Sequence, residues 1–267
     1  REIKNLLRIF NKKTYVGYTA TPFANVFIRE YTGQEDMVDD DLFPRDFMIS
    51  MPIPDKYCGQ DYFFPIENSS EHKNPVRNIP KRDYLGWIGL KHKKDVAVNG
   101  IPDSLKKAIN CFLIVIAIRY LRGQKTEHNT MLVNVSRFNL VQKNVFFEID
   151  SYLDNVRRAV KSSGAFEINK ALENGLVKSL QESFESEYHE CGFDFERILK
   201  QLYAVCKKVK LSLVNGLFEE MSGRGKSPLP YSDHKSEGYW VIAVGGLKLS
   251  RGLTLEGLSI SYFLRNA

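Results

Sequence analysis

A glycine-rich polar loop late in the sequence carries the residue types that bind phosphate. Its glycines and polar residues are Gly245, Gly246, Lys248, Ser250, Arg251, Gly252, Thr254, Glu256 and Gly257. Glycines let a ligand approach the backbone closely, and an arginine binds a phosphate through two parallel N–H groups. The alternative is an ordinary strand connection with a solvated arginine. A plain turn needs neither so many glycines nor two cations, so the spacing favours a ligand-binding loop.

Two apolar runs flank this loop and predict strands buried on both faces. Tyr239–Val244 is rich in β-branched residues and ends at a glycine pair, and Leu258–Leu264 is a second run of strand length. Open α/β sheets bind ligands beyond the carboxyl ends of their strands. The loop begins at such an end.

A second candidate segment, Thr19-Ala20-Thr21, follows a short strand predicted over Thr14–Tyr18. Pro22 stops that strand and fixes the turn, which leaves two hydroxyls at its carboxyl end. The alternative interpretation is a strand terminus whose backbone is capped by hydroxyls. The segment alone does not decide between these two interpretations.

A third candidate is the polar tip of a βα unit. Thr130–Ser136 predicts a strand that ends at Ser136 and Arg137, and a long helix through about Lys161 follows. Ser136 and Arg137 therefore join the list of candidate ligand-binding residues.

The remaining elements predict an α/β fold. A buried helix is expected between Pro102 and Gly123, helices fill 166–208, and Val209–Val214 is a further strand. We predict a mostly parallel sheet from strands near 131–135, 209–214, 240–244 and 258–263, flanked by helices. Right-handed crossovers then bring the polar tips to one edge of the sheet.

The stretch from Gly33 to Gly100 is rich in proline and has few long periodic runs, which predicts a loop-rich insertion. Prolines recur at 44, 52, 54, 65, 75 and 80, and the only strands expected are short ones at Phe47–Met51 and Tyr62–Phe64. Two basic runs, Lys81-Arg82 and Lys91–Lys94, are available to phosphates, although such runs are usually solvated surface.

One pattern inside this stretch imitates a metal-dependent nuclease. Pro54-Asp55 followed by Glu71, His72 and Lys73 matches the order of two Mg²⁺ carboxylates and a lysine. That chemistry needs Glu71 and Lys73 on a rigid strand, whereas their surroundings predict a loop. We therefore expect no metal site here.

Composition limits the class of protein. The 267 residues are 43% hydrophobic and 26% charged, which indicates a globular chain, and the net charge of +6 permits a polyanionic partner. The apolar run Cys111–Ile118 is flanked by lysines and arginines and is far shorter than a membrane span. The four cysteines form no CxxC pair, so we expect a reduced, cytoplasmic protein without membrane association.

Set in order, these motifs resemble the second half of a superfamily 2 helicase-like ATPase. Thr19-Ala20-Thr21 stands in the place of motif III, Leu132–Arg137 of motif IV and Gly245–Gly257 of motif V. More narrowly, YTATPFAN, TMLVNVSR and VGGLKLSRGLTLEGLSISYFLR are similar to the "Z-one" endonuclease domain of helicase-like proteins from bacterial restriction-modification loci. The likeness covers Tyr15–Asn25 and most of 84–267.

The resemblance implies two RecA-like (P-loop NTPase type) lobes that close on ATP. Residues 1–33 would end the first lobe, 34–100 would be the loop-rich connector, and 101–267 would be the second lobe, with its helical insertion at about 166–208, stopping before motif VI. Thr19 and Thr21 would couple the lobes. Ser136, Arg137, Lys248 and Ser250 would face DNA.

The same resemblance assigns the rest of the 245–257 loop to ATP and lobe coupling. The residues concerned are Gly245, Gly246, Arg251, Gly252, Thr254 and Glu256. Thr254 stands where helicases commonly have aspartate, which makes Glu256 the alternative ribose contact. Neither a GxxxxGK[ST] loop nor a DExx motif precedes residue 14. ATP and Mg²⁺ are therefore expected in the full-length protein and not on this fragment, which alone should be inactive.

The implied function is that of a DNA-dependent ATP hydrolase linked to endonuclease activity. Its partners would be DNA and a methyltransferase or other restriction-system proteins. The competing hypothesis is a noncatalytic DNA-binding or assembly module that keeps the RecA-like architecture. A nuclease acting through Asp55, Glu71 and Lys73 is a third.

Overall fold

The four apolar runs of the second half of the chain form one parallel sheet. The computed structural model describes residues 2–19, 47–52, 54, 57–64, 74–164, 166–215, 227–246, 249 and 253–264. Its strands are β1 (Asn129–Asn134), β2 (Lys210–Val214), β3 (Trp240–Gly245) and β4 (Leu258–Phe263). They lie in the order β2-β3-β1-β4, and every neighbouring pair is parallel. The predicted sheet is confirmed.

The helices from Asp103 to Lys208 lie in the intervals that the sequence predicts for them, whereas the short helices Gln60–Phe63 and Lys81–Leu85 were not predicted. In chain order the helices are α1 (Glu2–Ile9), α2 (Gln60–Phe63), α3 (Lys81–Leu85), α4 (Asp103–Leu121), α5 (Asn139–Ser163), α6 (Ile168–Ala171), α7 (Gly175–Glu187) and α8 (Phe195–Lys208), with a short 3-10 helix at Tyr231–His234. The chain divides into two units, Arg1–Val76 and Arg77–Ala267. The sheet and helices α3 to α8 belong to the second unit.

Strand β3 sends its side chains alternately into two hydrophobic clusters. Trp240, Ile242 and Val244 point into the main core, where they meet the helices. Val241 and Ala243 pack on the other face of the sheet, against Leu229, Tyr231 and Leu249. Because successive side chains of a strand face opposite ways, this central strand joins both clusters.

Helix α4 is the centre of the main core. Its apolar residues surround the helix on almost every side, as expected when an element is buried all round. One amide, that of Asn110, ties three helices together: it accepts a hydrogen bond from the Tyr152 hydroxyl of α5 at 2.9 Å and donates one to Ser179 Oγ of α7 at 3.1 Å. Burial raises the pKa of Tyr152 to about 12, so this hydroxyl stays protonated and donates.

Strand β4 differs from its prediction. It pairs only with β1 and forms one edge of the sheet, and Leu258 and Phe263 remain 45% and 48% exposed. The expectation that it is buried on both faces is wrong, because the face with Ser259, Ser261 and Phe263 is exposed, whereas Ile260 and Tyr262 pack against the main core. Its alternating serines are the sequence signal for this half-exposed position.

The short strands predicted in the first unit are also wrong within the described residues. Residues 13–19 form no strand there, and Tyr18 is 91% exposed. Phe47–Met51 likewise lacks strand pairing among the residues that the structure describes. In place of a strand at Tyr62–Phe64, the backbone N–H groups of Tyr62 and Phe63 both bond to the Gly59 carbonyl, which forms the single turn α2.

Candidate nucleic-acid interface

Polar residues at the carboxyl ends of two strands and a glycine pair at the end of a third meet at one edge of the sheet. Ser136 follows β1, Asn215 follows β2, and Gly245 and Gly246 end β3. Since these strands are parallel neighbours, their carboxyl ends lie side by side. We call this boundary the carboxyl edge. The prediction that polar tips collect there holds for Ser136 and the glycine pair.

A buried series of hydrogen bonds runs along the carboxyl edge. Asn215 donates from Nδ2 to Gln142 Oε1 at 2.9 Å, and Gln142 donates from Nε2 to the Ser136 carbonyl at 2.8 Å. Ser136 Oγ lies 2.8 Å from His92 Nε2. We call these four residues the edge chain. Asn215, Gln142 and Ser136 are all at most 6% exposed, so their hydrogen bonds fix the strand ends against one another.

The His92 imidazole has a defined tautomer when it is neutral. Its Nδ1 lies 2.7 Å from the Gly89 carbonyl, which can only accept, so Nδ1 carries the proton. Nε2 then accepts from the Ser136 hydroxyl, while Ser136 Oγ accepts from the Phe138 N–H at 3.1 Å.

A serine hydrogen-bonded to an oriented histidine is also the arrangement of an activated nucleophile. At 6% exposure the Ser136 side chain offers little access to a substrate. The pair therefore serves as a tether that holds the segment around His92 at the carboxyl edge.

The two glycines at the end of β3 are required by close packing. A Cβ on Gly246 would collide with Gln142 Nε2 and would lie 2.9 Å from the Ser136 carbonyl oxygen. A Cβ on Gly245 would lie 2.5 Å from the Val214 carbonyl oxygen. Both contacts are too short for any side chain, so the glycines let β3 approach the edge chain.

Arg137 directly follows Ser136 of the edge chain. Its side chain is exposed, and its guanidinium lies 4.9 Å from the centre of the Phe138 ring. The His92 ring contacts the same phenylalanine edge-on, with ring centres 5.8 Å apart. An exposed guanidinium stacked on an aromatic ring is oriented to bind a phosphate oxygen.

Glu256 lies at the opposite, amino edge of the sheet. Its carbonyl accepts a hydrogen bond from Thr130 Oγ1 at 2.7 Å, and Thr130 is the second residue of β1. Its carboxylate lies 3.5 Å from His128 Nε2. The structure therefore separates Glu256 from Ser136 and from the glycine pair by the length of a strand.

The other predicted site residues are placed as follows. Thr254 is exposed and lies in the connection from β3 to β4. Thr19 belongs to the first unit. Ala20, Thr21, Lys248, Ser250, Arg251 and Gly252 lie outside the described residues, as do Asp55, Glu71 and Lys73 of the nuclease pattern.

Three of the four edge-chain residues were not singled out by sequence reasoning: His92, Gln142 and Asn215. His92 was noted only as part of a basic run, and its serine partner is 44 residues away. A polar residue directly after a predicted strand, as with Asn215, was the available signal for one of them. Gln142 offered no signal beyond its place in the first turn of α5.

Two searches of the described part of the chain gave negative results. None of its groups of three or more His, Cys, Asp or Glu side chains is arranged to hold a metal ion. None of its helices combines the length and apolar character that crossing a membrane requires.

The sheet, its helical cover and the carboxyl edge define a mixed α/β domain with an all-parallel four-stranded sheet. The chain belongs to the Z1 domain family, whose model matches residues 104–267. This match includes all four strands and three of the four edge-chain residues. No curated protein and no solved structure matches the chain.

Proposed function

We propose that this chain is part of a superfamily 2 helicase-like, DNA-dependent ATPase associated with DNA restriction, and that residues 101–267 are its second RecA-like lobe. The observation that carries the proposal is the carboxyl edge. The segment ending at Ser136-Arg137 and the one ending at Gly245-Gly246 were assigned to one ligand-binding face from their motifs, and they lie on neighbouring parallel strands.

Within this proposal the residues divide by task. Ser136 and Arg137, with Lys248 and Ser250, contact DNA, and Arg137 has the exposure that such contact requires. Gly245, Gly246, Arg251, Gly252 and Thr254 respond to ATP and to closure of the two lobes, together with Thr19, Ala20 and Thr21.

ATP and Mg²⁺ complete the proposed activity in the full-length protein. Phosphoryl transfer needs a lysine that cradles the phosphates and carboxylates that hold the metal ion. The sequence offers neither motif ahead of residue 14. What this chain contributes is an arginine in the 245–257 loop, whose planar fork stabilises charge on a transferred phosphoryl group.

A noncatalytic DNA-binding or assembly module is the second candidate, and the position of Glu256 favours it. If Glu256 contacted ribose, it would lie beside the glycine pair, whereas it lies at the amino edge against His128. A module that only binds DNA needs the carboxyl edge and its cations, but no ribose contact.

The rate of ATP hydrolysis by the full-length protein, measured against DNA concentration, distinguishes the two candidates. Arg251→Lys should leave the melting temperature unchanged and remove most of the DNA-stimulated rate, because lysine keeps the charge but not the two-pronged geometry. The matched control is Arg158→Lys. Arg158 is exposed on α5, and its side chain has one hydrogen bond among the described residues, to Asn155 Oδ1 at 2.7 Å.

The hydrolysis rates of the parent and of Arg251→Lys decide between the ATPase and the module. Parental DNA-stimulated hydrolysis in a variant that melts like the parent would remove the 245–257 loop as the coupling element. Absence of DNA-stimulated hydrolysis in the parent would leave the DNA-binding module. Loss of hydrolysis in Arg251→Lys but not in Arg158→Lys supports the ATPase.

A further inference from the structure

The basic run Lys91–Lys94 is fixed to the carboxyl edge. Its second residue, His92, is the last member of the edge chain and bonds to Ser136 on one side and to the Gly89 carbonyl on the other. The three lysines around it are exposed. Both ring nitrogens of His92 are hydrogen-bonded, so the lysines beside it are held in a defined position. The charges of a solvated loop are not held in this way.

Two further cations extend this charge along helix α5. Arg137 directly follows Ser136, and Lys143 lies one turn into the helix that begins at Asn139. Within the described residues, none of the five cations has a carboxylate at salt-bridge distance. The acids nearest in sequence are Asp95 and Glu148, so positive charge is in excess here.

An exposed aromatic side chain continues the same face of α5. Phe147 is 53% exposed, and the Lys143 ammonium lies 5.9 Å from its ring centre. Leu140, between Arg137 and Lys143, is 52% exposed. Positions 140, 143 and 147 share one helix face, and Phe147 lies about 12 Å along the helix from its first residue.

We propose that these residues form a binding track for single-stranded DNA, which the carboxyl edge anchors. The track consists of Lys91, Lys93, Lys94, Arg137, Lys143 and Phe147. The cations contact the phosphates, and the open face of Phe147 stacks on a base. The choice of DNA as the nucleic acid rests on the proposed function.

The exposed phenylalanine distinguishes a single strand from a duplex. In a duplex the bases are stacked on one another, so an aromatic ring on the protein surface has no base face to contact. Proteins that bind single strands combine a basic groove with aromatic side chains on which bases stack. Cations alone would bind a duplex or an anionic membrane equally well. The half-exposed apolar side chains among them supply the base-stacking surface that binding of a single strand also requires.

The test is equilibrium binding of this chain to fluorescently labelled oligonucleotides of about 12 nucleotides, a length within the roughly 4–16 that such sites cover. The probes are oligo-dT, an abasic strand with the same phosphates, a duplex of equal length, and oligo-rU. Each affinity is measured over a range of salt concentrations.

Two variants test the two halves of the track. Lys91→Gln/Lys93→Gln/Lys94→Gln should lower the slope of log affinity against log salt by about 2, because each phosphate that a lysine neutralises contributes about 0.7 to that slope for a single strand. The decrease should be the same for oligo-dT and the abasic strand. Phe147→Ala should weaken oligo-dT binding at least about fivefold and leave binding of the abasic strand unchanged.

The chain supplies a matched control for each variant. Phe166 is 49% exposed and carries the Lys170 ammonium 4.6 Å from its ring centre, so it copies the Phe147 and Lys143 pair. It lies just beyond the far end of α5, about 37 Å from the carboxyl edge. Phe166→Ala and Lys161→Gln/Lys170→Gln/Lys178→Gln should bind like the parent, although the second removes as much charge as the Lys91 set.

The following results would overturn the track. Phe147→Ala that weakens the abasic strand equally would show that no base is stacked. Equal affinity for duplex and oligo-dT, tighter binding of oligo-rU, or a loss of binding to phosphatidylserine vesicles in the same variants would each assign the surface to another ligand.

The track and the ATPase fail separately. An intact protein that hydrolyses no ATP but shows the Phe147 and lysine effects leaves the track in place. If the intact protein shows normal DNA-stimulated hydrolysis but Phe147→Ala leaves oligo-dT binding unchanged, only the track is refuted.

Discussion

Replacing Gln142 with leucine should destabilise the second unit by about 2–4 kcal/mol. The two side chains are similar in size, so the change removes hydrogen bonds more than volume. Gln142 loses its bond to Asn215 Nδ2 at 2.9 Å and its bond to the Ser136 carbonyl at 2.8 Å. A missing bond costs about 1 kcal/mol, and a buried group left unsatisfied costs about 1–3 kcal/mol.

The assay is urea and thermal unfolding followed by circular dichroism. For a unit of this size each kcal/mol lowers the melting temperature by about 2–4 °C, so we expect a fall of about 4–16 °C. The control is Gln181→Leu on α7, where the glutamine side chain is half-buried and has no hydrogen bond to a described residue. That change should stay within about 0.5 kcal/mol.

A second variant separates the two bonds. Gln142→Glu keeps an acceptor for Asn215 but cannot donate to the Ser136 carbonyl while it is ionised. It should therefore be strongly destabilised at neutral pH and regain stability as the pH is lowered, because a protonated carboxyl donates again. If Gln142→Leu melts like the parent and Gln142→Glu shows no such recovery, the edge chain does not hold the strand ends together.

Four further experiments have expected outcomes. Gly257→Ala should lower the free energy of unfolding in urea by about 2–4 kcal/mol, because an alanine is strained at φ +66° and its Cβ would collide with the His128 carbonyl. The control is Gly100→Ala, at φ +67° with open space around the Cβ, which should cost about 1 kcal/mol. Equal costs would refute the collision. Burial alone would raise the pKa of Glu187, but hydrogen bonds from Arg77 and Lys107 lower it overall, so the stability that this carboxylate contributes is complete above the unfolded pKa of about 4.3 and is lost as the pH falls through the folded pKa. Glu187→Gln should therefore lower the free energy of unfolding by about 1 kcal/mol at pH 7 and weaken the dependence of stability on pH in the acid range. An unchanged pH dependence in that range would contradict this. Burial raises the pKa of Cys111 to about 11 and that of Cys206 to about 12, so at pH 8 both thiols should react with a disulfide reagent only after unfolding, unlike the exposed Cys58; rapid labelling of all three would count against the packing. Asp55→Ala should leave any Mg²⁺-dependent nicking by the full-length protein unchanged, and loss of nicking would restore the nuclease hypothesis.

Local pattern was enough to predict the four strands and the longer helices of the second unit. The apolar run through Cys111–Ile118 and the β-branched run through Tyr239–Val244 have lengths and flanks that admit one kind of element each. The predicted parallel arrangement also put Ser136 and the glycine pair at the same edge of the sheet, without giving the order of the strands. These results depend on neighbours in the sequence, which is why they could be obtained without coordinates.

Long-range pairing could not be predicted. The bond between His92 and Ser136 joins residues 44 positions apart, and no periodic signal connects them. The exposure of Tyr18 depends in the same way on which residues are available to pair with it. Glu256 is a different case: it precedes β4 by two residues, so a parallel sheet places it at the amino edge, and treating the whole 245–257 loop as one site overlooked this consequence.

The order of the strands also governs how the chain is synthesised. Strand β1 lies between β3 and β4 in the sheet, but β3 begins only at residue 240, 106 residues after β1 ends at 134. At about 5–20 residues per second, a ribosome needs roughly 5–20 s to deliver the first partner. For that time the hydrophobic strand at the centre of the sheet has both backbone edges open. Helix α4 is already complete when β1 emerges and packs against one face of this strand, but it leaves the backbone edges available to other nascent chains until β3 and β4 arrive.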